Sequence, residues 1–184
     1  MNKPFKIDSE FYDAVKYLVT IQSLKSFENS AGSHALAFFK AMFEKSSYGL
    51  IRIFTYNLCD DLSNSDEYIK ALKYFLKKGY VKFLLKTIPN SKELNEKEIF
   101  KTLRSIDKKK YEIKKTDEKA TLEYGEPKLR YEINFSTGDD NIYRIEYDIN
   151  YPFKAKCCFN DEKVTNRLNT LFDKSFSTAT SIDL

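Results

Sequence analysis

The amino-acid sequence predicts an α/β domain with a mixed sheet, a parallel βαβ unit followed by an antiparallel C-terminal meander, flanked by helices. Two observations carry that expectation. Two runs rich in β-branched and aromatic residues, Leu50-Ile51-Arg52-Ile53-Phe54-Thr55-Tyr56 and Val81-Lys82-Phe83-Leu84-Leu85, enclose a segment whose apolar residues recur at helical spacing. Further on, residues 129–173 hold amphipathic strands around the turn-forming run Thr137-Gly138-Asp139-Asp140-Asn141, then a closing helix.

In chain order, a helix starts at Ser9, with Phe11, Ala14, Val15 and Leu18 on one stripe and acidic residues early in its length. Gly32-Ser33 opens a second helix. Ala35, Leu36, Phe39, Met42 and Phe43 line its apolar face, Lys40 and Lys45 lie outside that face, and Ser46-Ser47-Tyr48-Gly49 breaks it. Residues 50–56 form an interior strand. The polar segment 57–65 leads to a helix carrying Ile69, Leu72, Phe75 and Leu76, which Lys77-Lys78-Gly79 stops. Residues 81–85 are a second strand, which the handedness of such crossovers places parallel to the first. A helix with Leu94, Ile99, Leu103 and Ile106 follows Pro89-Asn90-Ser91, and Tyr111-Glu112-Ile113-Lys114 begins a short strand. Residues 116–128 are assigned no element.

Within the meander, Tyr131, Ile133 and Phe135 alternate with Arg130, Glu132, Asn134 and Ser136, while Tyr143, Ile145 and Tyr147 alternate with Arg144, Glu146 and Asp148. After an Asn150-Tyr151-Pro152 turn, Phe153, Ala155, Cys157 and Phe159 alternate with Lys154, Lys156 and Cys158. One face is therefore expected to be core and the other polar. Gly138 supplies the positive φ of the hairpin, and Asp139, Asp140 and Asn141 are turn formers. Asn160 or Asp161 caps a helix with Val164, Leu168, Leu171 and Phe172 at helical spacing.

At 184 residues, with 42% hydrophobic and 15% aromatic, the chain can bury a core large enough to offset its ordering entropy, which excludes disorder across its body. No apolar run approaches the ~20 residues of a membrane span, and Met1-Asn2-Lys3-Pro4-Phe5-Lys6 lacks the apolar centre of a secretory signal, so the chain is expected to be cytoplasmic. Cys157 and Cys158 point to opposite faces of a strand and Cys59 lies in a loop; a Cys157–Cys59 contact stays open, with buried apolar thiols the plainer reading. Neither a disulfide framework nor a zinc site follows, and no cofactor is expected. The net charge of +4, from 31 basic and 27 acidic residues, permits attraction to nucleic acid without demanding it. The densest basic cluster, Lys108-Lys109-Lys110 with Lys114 and Lys115, has acidic neighbours and reads as a solvated helix end and edge strand.

The order of elements, together with two segments, resembles one half of the phospholipase D-like sandwich. The segments are Ile51-Arg52-Ile53-Phe54-Thr55 through its helix to residues 81–85, and Asn134-Phe135-Ser136-Thr137-Gly138-Asp139-Asp140-Asn141-Ile142-Tyr143-Arg144-Ile145-Glu146 continuing to Cys158-Phe159-Asn160-Asp161 and Leu171-Phe172-Asp173. The resemblance is to divergent bacterial single-half members, covers residues 33–175, and leaves a helical arm at 1–32 and a flexible tail at 176–184. Active members carry a His-x-Lys pair with a downstream aspartate, in which imidazole attacks a phosphodiester and lysine steadies the oxyanion. Here the corresponding hairpin offers Asn134, Ser136 and Asp139, none of which replaces that histidine. The single histidine, His34, precedes Ala35 and Leu36 in an apolar helix, a setting for a packed or capping residue. The resemblance thus implies a catalytically silent copy acting as a binding or interaction module, in a nucleic-acid-processing or defence context, with a protein partner or a second copy, since single-half members pair.

Candidate binding residues fall in two groups. Thr55, Asn57, Asp60 and Asp61 follow an interior strand at its carboxyl end, where open α/β sheets place ligands. Arg130, Glu132, Arg144 and Glu146 share the polar sheet face, where cross-strand ion pairing is the plainer role; Asn134 and Asp139 belong to the hairpin. Two alternatives stand beside the silent module. One is a metal-dependent nuclease of acid-x-Lys type at Glu112-Ile113-Lys114 with Asp107, although triplets of the same form recur at Asp117, Glu126 and Asp161. The other is non-specific nucleic-acid binding through lysines and Tyr111, Tyr124, Tyr131, Tyr143 and Tyr151.

Overall fold

The computed structural model describes residues 6–46, 49–124, 129–147 and 154–184. The first helix, α1 (Ser9–Thr20), begins because the Asp8 carboxylate accepts from the Phe11 amide at 2.9 Å; the cap is Asp8, one residue before the expected Ser9. A three-residue strand, β1 (Phe27–Asn29), precedes α2 (Gly32–Lys45). Helix α2 buries far more than one stripe: Ala35, Leu36, Ala37, Phe38, Ala41, Met42 and Phe43 are all inaccessible to solvent, as befits a helix sandwiched between a sheet and other helices.

Strand β2 (Leu50–Thr55), helix α3 (Asp66–Leu76), capped by Ser65, and strand β3 (Tyr80–Leu85) form the expected βαβ unit, with β2 and β3 parallel from Leu50↔Tyr80 to Thr55↔Leu85. The single helix expected next is two, α4 (Ser91–Glu96) and α5 (Glu98–Arg104), because Lys97 between them is extended (φ −72°, ψ 133°). Strand β4 (Tyr111–Lys115) adds a third parallel member beside β3.

Strands β5 (Thr121–Tyr124) and β6 (Leu129–Glu132) pair as a separate two-stranded ribbon. The chain then re-enters the main sheet as β7 (Asn134–Gly138), so the continuous strand expected through residues 130–136 is interrupted at Ile133, whose amide bonds to Ala120 O instead. The hairpin to β8 (Ile142–Glu146) is as expected, except that Gly138 ends β7 and the left-handed residue is Asn141 (φ 61°). Strand β9 (Ala155–Cys158) pairs with β8, Asp161 caps α6 (Glu162–Thr178) through the Val164 amide, and β10 (Thr180–Ser181) closes the chain. The expected Asn150-Tyr151-Pro152 turn, Phe153, and the Ser47-Tyr48 part of the helix break lie outside the described residues.

The main sheet runs β1-β9-β8-β7-β2-β3-β4-β10. Helices α1, α2 and α3 cover one face, where Phe38, Phe43, Tyr68 and Phe75 share a core with Phe83 of β3; α6 covers the other, where Leu168 and Phe172 share a core with Phe54 of β2 and Phe135 of β7. This overturns the expected division of the meander into a core face and a polar face. Ser136 and Arg144 are 2% and 4% exposed, because the face they share lies under α2. On that same face Arg144 and Glu146 oppose Cys157 and Ala155, so the apolar set of β9 continues the polar set of β8.

Both chain ends also differ from expectation. Residues 1–32 do not stand apart as an arm over their described length: Phe11 packs against Phe27 and β1 pairs with β9. Residues 176–184 are not a loose tail, since they finish α6, pair β10 with β4, and donate from Ile182 N to Ile113 O. Buried Phe176, stacked on Phe172, anchors this segment.

Candidate functional site

The site is set by strand direction. Parallel β2 and β3 end at Thr55 and Leu85, and the antiparallel hairpin brings the start of β7 and the end of β8, Asn134 opposite Glu146, to that same end of the sheet. Tyr56 and Lys86 follow directly, locked together by the Lys86 and Thr87 amides donating to Tyr56 O at 3.0 and 3.1 Å. Two cavities open there and share Tyr56, Asn134 and Glu146. The outer one, of about 550 Å³, is lined by Lys86, Glu132 and residues 116–119; the inner one, of about 230 Å³, by Phe39, Ile53, Asp60, Ser63, Tyr68 and Arg144.

Each cation in this lining is tied to a carboxylate. Lys86 Nζ donates to Glu132 Oε1 at 3.0 Å and to Ile133 O at 3.3 Å, and Lys119 approaches Glu132 Oε2 at 3.2 Å. The hydrogen bond from Lys86, foremost, holds the Glu132 carboxyl below the usual carboxylate range. Arg144 Nη2 donates to Glu146 Oε1 at 3.3 Å while its guanidinium lies over the Phe39 ring, and Asn134 Nδ2 donates to Glu146 Oε2 at 2.8 Å. Burial pushes the Tyr68 phenol up, so it enters this chemistry as a neutral hydroxyl. Asn134 Oδ1 and Ser136 Oγ are buried and have no hydrogen-bond partner among the described residues. Three cations, Lys86, Lys119 and Arg144, face five carboxylates, Asp60, Asp117, Glu118, Glu132 and Glu146; the lining is net −2 on a chain of +4, which leaves +6 elsewhere.

Of the residues singled out by sequence, Thr55, Asn57, Asp60, Glu132, Asn134, Arg144 and Glu146 converge here. Asn57 and Asp60 also shape their own loop, accepting from Cys59 N at 2.9 Å and Ser63 N at 2.7 Å. Asp61 is exposed and lines neither cavity, and the Arg130 side chain lies outside the described part of β6. Asp139 sits at the far end of the sheet, where it accepts from Leu50 N and pairs with Arg52, which also binds Asp173 on α6. Tyr56, Lys86 and residues 116–119 were missed. They directly follow β2, β3 and β4, so the strand-end rule that picked Thr55 and Asn57 finds them once applied to every parallel strand.

His34 is remote from both linings, stacked on Phe11 with centroids 4.0 Å apart and its Nε2 3.6 Å from Asp8. The acid-x-Lys residues hold structural posts: Glu112 accepts from Tyr80 Oη at 2.6 Å, and Lys114 donates to Phe176 O. Among the described residues no group of three His, Cys, Asp or Glu is placed to hold a metal ion. None of their helices is long and apolar enough to cross a membrane.

A mixed sheet between helical layers, with its cleft at the carboxyl ends of the parallel strands, is an α/β fold similar to that of phospholipase D family structures. Nuc from Salmonella typhimurium, a phospholipase D family member, superposes with a TM-score of 0.54 at 11% identity, over 88% of this chain and 99% of that one. NucT from Helicobacter pylori gives 0.58 at 10% identity, over 86% and 99%. TrmBL2, an archaeal chromatin protein described as showing a novel mode of DNA binding, gives 0.56 at 10% identity over 95% of this chain, which spans 62% of the TrmBL2 chain. No protein-family model and no curated protein sequence matches.

Proposed function

We propose that this chain is a divergent single-half phospholipase D-like module that holds a partner at the β2–β3 cleft and does not cut a phosphodiester. One observation carries this: by the resemblance, the hairpin that bears the His-x-Lys pair in active members offers Asn134, Ser136 and Asp139 here, and the Asn134 amide nitrogen is engaged by Glu146. A carboxamide is no nucleophile toward phosphorus, and a buried serine hydroxyl without an adjacent base stays protonated. The purified chain should leave a phosphodiester reporter intact in EDTA and in magnesium. Metal-free turnover abolished by His34→Ala would overturn the proposal, and magnesium-dependent turnover abolished by Glu112→Ala would establish the acid-x-Lys alternative. The partner includes a second copy of the chain, for which solution mass by light scattering is the direct measure.

A second reading, nucleic-acid binding without cleavage, is favoured by the extent of the overlap with TrmBL2 and by the +6 carried outside the cleft. Affinity for duplex and single-stranded oligonucleotides that falls steeply with salt supports it; absence of binding at low salt removes it.

A further inference from the structure

We infer that the cleft receives an organic cation, a primary ammonium or guanidinium group, and turns phosphate away; this rests on the proposal that the cleft is the binding site. The electrostatics come first. Lys86 and Lys119 share Glu132 and Arg144 is held by Glu146, so each cation of the described lining already has a carboxylate beside it, and the one positive charge left by the shared Glu132 is outweighed by Asp60, Asp117 and Glu118. Two carboxylates remain without such an answer: Asp60 accepts only from Ser63 N and Oγ, Glu118 from the Ser175 hydroxyl, and neither has a lysine or arginine within ion-pair distance among the described residues. An ammonium group therefore gains what a phosphate would lose.

One buried acceptor points the same way, independently of charge. Asn134 Oδ1, on the wall common to both cavities, is a buried acceptor without a donor among the described residues. Ser136, 2% exposed and likewise unpartnered, lies between its cross-strand neighbours Ile53 and Arg144 on the sheet face that floors the inner cavity. A buried acceptor calls for a donor, which ammonium and guanidinium groups supply in multiples, whereas phosphate is mainly an acceptor. An aromatic face completes the match. Tyr56, 57% exposed, stands on the wall common to both cavities and offers a π surface of the kind that holds cations, while the Phe39 ring of the inner cavity already carries the Arg144 guanidinium.

Isothermal titration calorimetry on the full chain, at matched ionic strength, tests this with 1,5-diaminopentane, an N-acetylated and C-amidated lysine, and inorganic phosphate. Heat is expected from the amines and none from phosphate, with Glu118→Gln and Asp60→Asn each weakening amine binding about tenfold. Both variants keep an acceptor for Ser175 and Ser63, and an unchanged melting temperature certifies each as folded; Tyr56→Ala, at an exposed position, serves if either is not. Tighter binding of the diamine identifies a free amine as the ligand class, and tighter binding of the blocked lysine a basic segment of a protein. Phosphate binding as tight as the amines, absence of heat from both amines, or amine affinity indifferent to every variant overturns the inference. If the phosphodiester assay is also silent, the holding module survives that failure; metal-free turnover defeats the module whatever the amines do.

Discussion

Replacing Lys86 by methionine keeps the length of the side chain and deletes its charge. The Lys86 side chain is 11% exposed, and its Nζ serves Glu132, the Ile133 carbonyl and, at 5.4 Å, the face of Phe54. Breaking a buried ion pair from one side costs about 3–5 kcal/mol. Glu132, however, is 24% exposed and retains Lys119, itself 72% exposed, and exposed pairs contribute only about 0–1 kcal/mol. The expected loss is about 2 kcal/mol, or about 4–8 °C in melting temperature for a chain of this size. Its pH dependence separates it from a packing defect. Because the folded state depresses the Glu132 carboxyl, the contribution is complete above the unfolded pKa and fades as the pH falls through the folded one. The stability gap between parent and Lys86→Met should therefore close on acidification, read by urea denaturation at neutral pH and again below about pH 4. A neutral-pH gap under about 0.5 kcal/mol, or one of equal size at both pH values, refutes the assignment of Lys86 to this pair.

Phe172→Ala removes a fully buried ring packed edge-on to Phe135 and stacked on Phe176, and should cost about 3–5 kcal/mol by chemical denaturation; a loss under 1 kcal/mol would mean α6 contributes little to the core. Gly79→Ala places a methyl group 2.2 Å from the buried Phe75 ring, so about 1–3 kcal/mol of destabilisation is expected, and an unaltered melting curve would contradict this contact. Burial raises the Cys157 thiol to about 12 and the Cys59 thiol to about 11, so both should resist iodoacetamide at pH 8 until urea is added. Mass spectrometry of labelled peptides distinguishes this from rapid native labelling, which would show that β9 or the Cys59 loop opens freely.

The βαβ unit and the β7–β8 hairpin were legible because their signals are local: apolar runs of strand length, helical periodicity between them, and a cluster of turn formers. What alternation could not convey was burial. Arg144 and Ser136 occupy polar positions of their strands, yet the first lies over Phe39 and the second has helix α2 above its sheet face, so polarity marked the cleft's floor and not a solvent face. The division of the 130–136 run at Ile133 was hidden for a related reason, since the amide that would have continued the ladder is taken by Ala120, a tertiary bond with no sequence signature. The strand-end rule found Thr55, Asn57 and Asp60 of the cleft. Lys86 escaped because it reads as one more lysine among many until β3 fixes it beside Glu132.

The arrangement of the sheet also bears on how the molecule fails. Its outermost members, β1 and β10, are three and two residues long and come from opposite parts of the chain. Peeling away the shorter one bares the outer edge of β4, whose alternate amides and carbonyls then form a ready template for another molecule. Lys114 and Lys115 on that strand then oppose neighbour-to-neighbour stacking along its newly opened rim. Aggregation on heating is therefore expected to quicken with protein concentration and with salt, which screens lysine repulsion, and light scattering during a thermal ramp reads it directly.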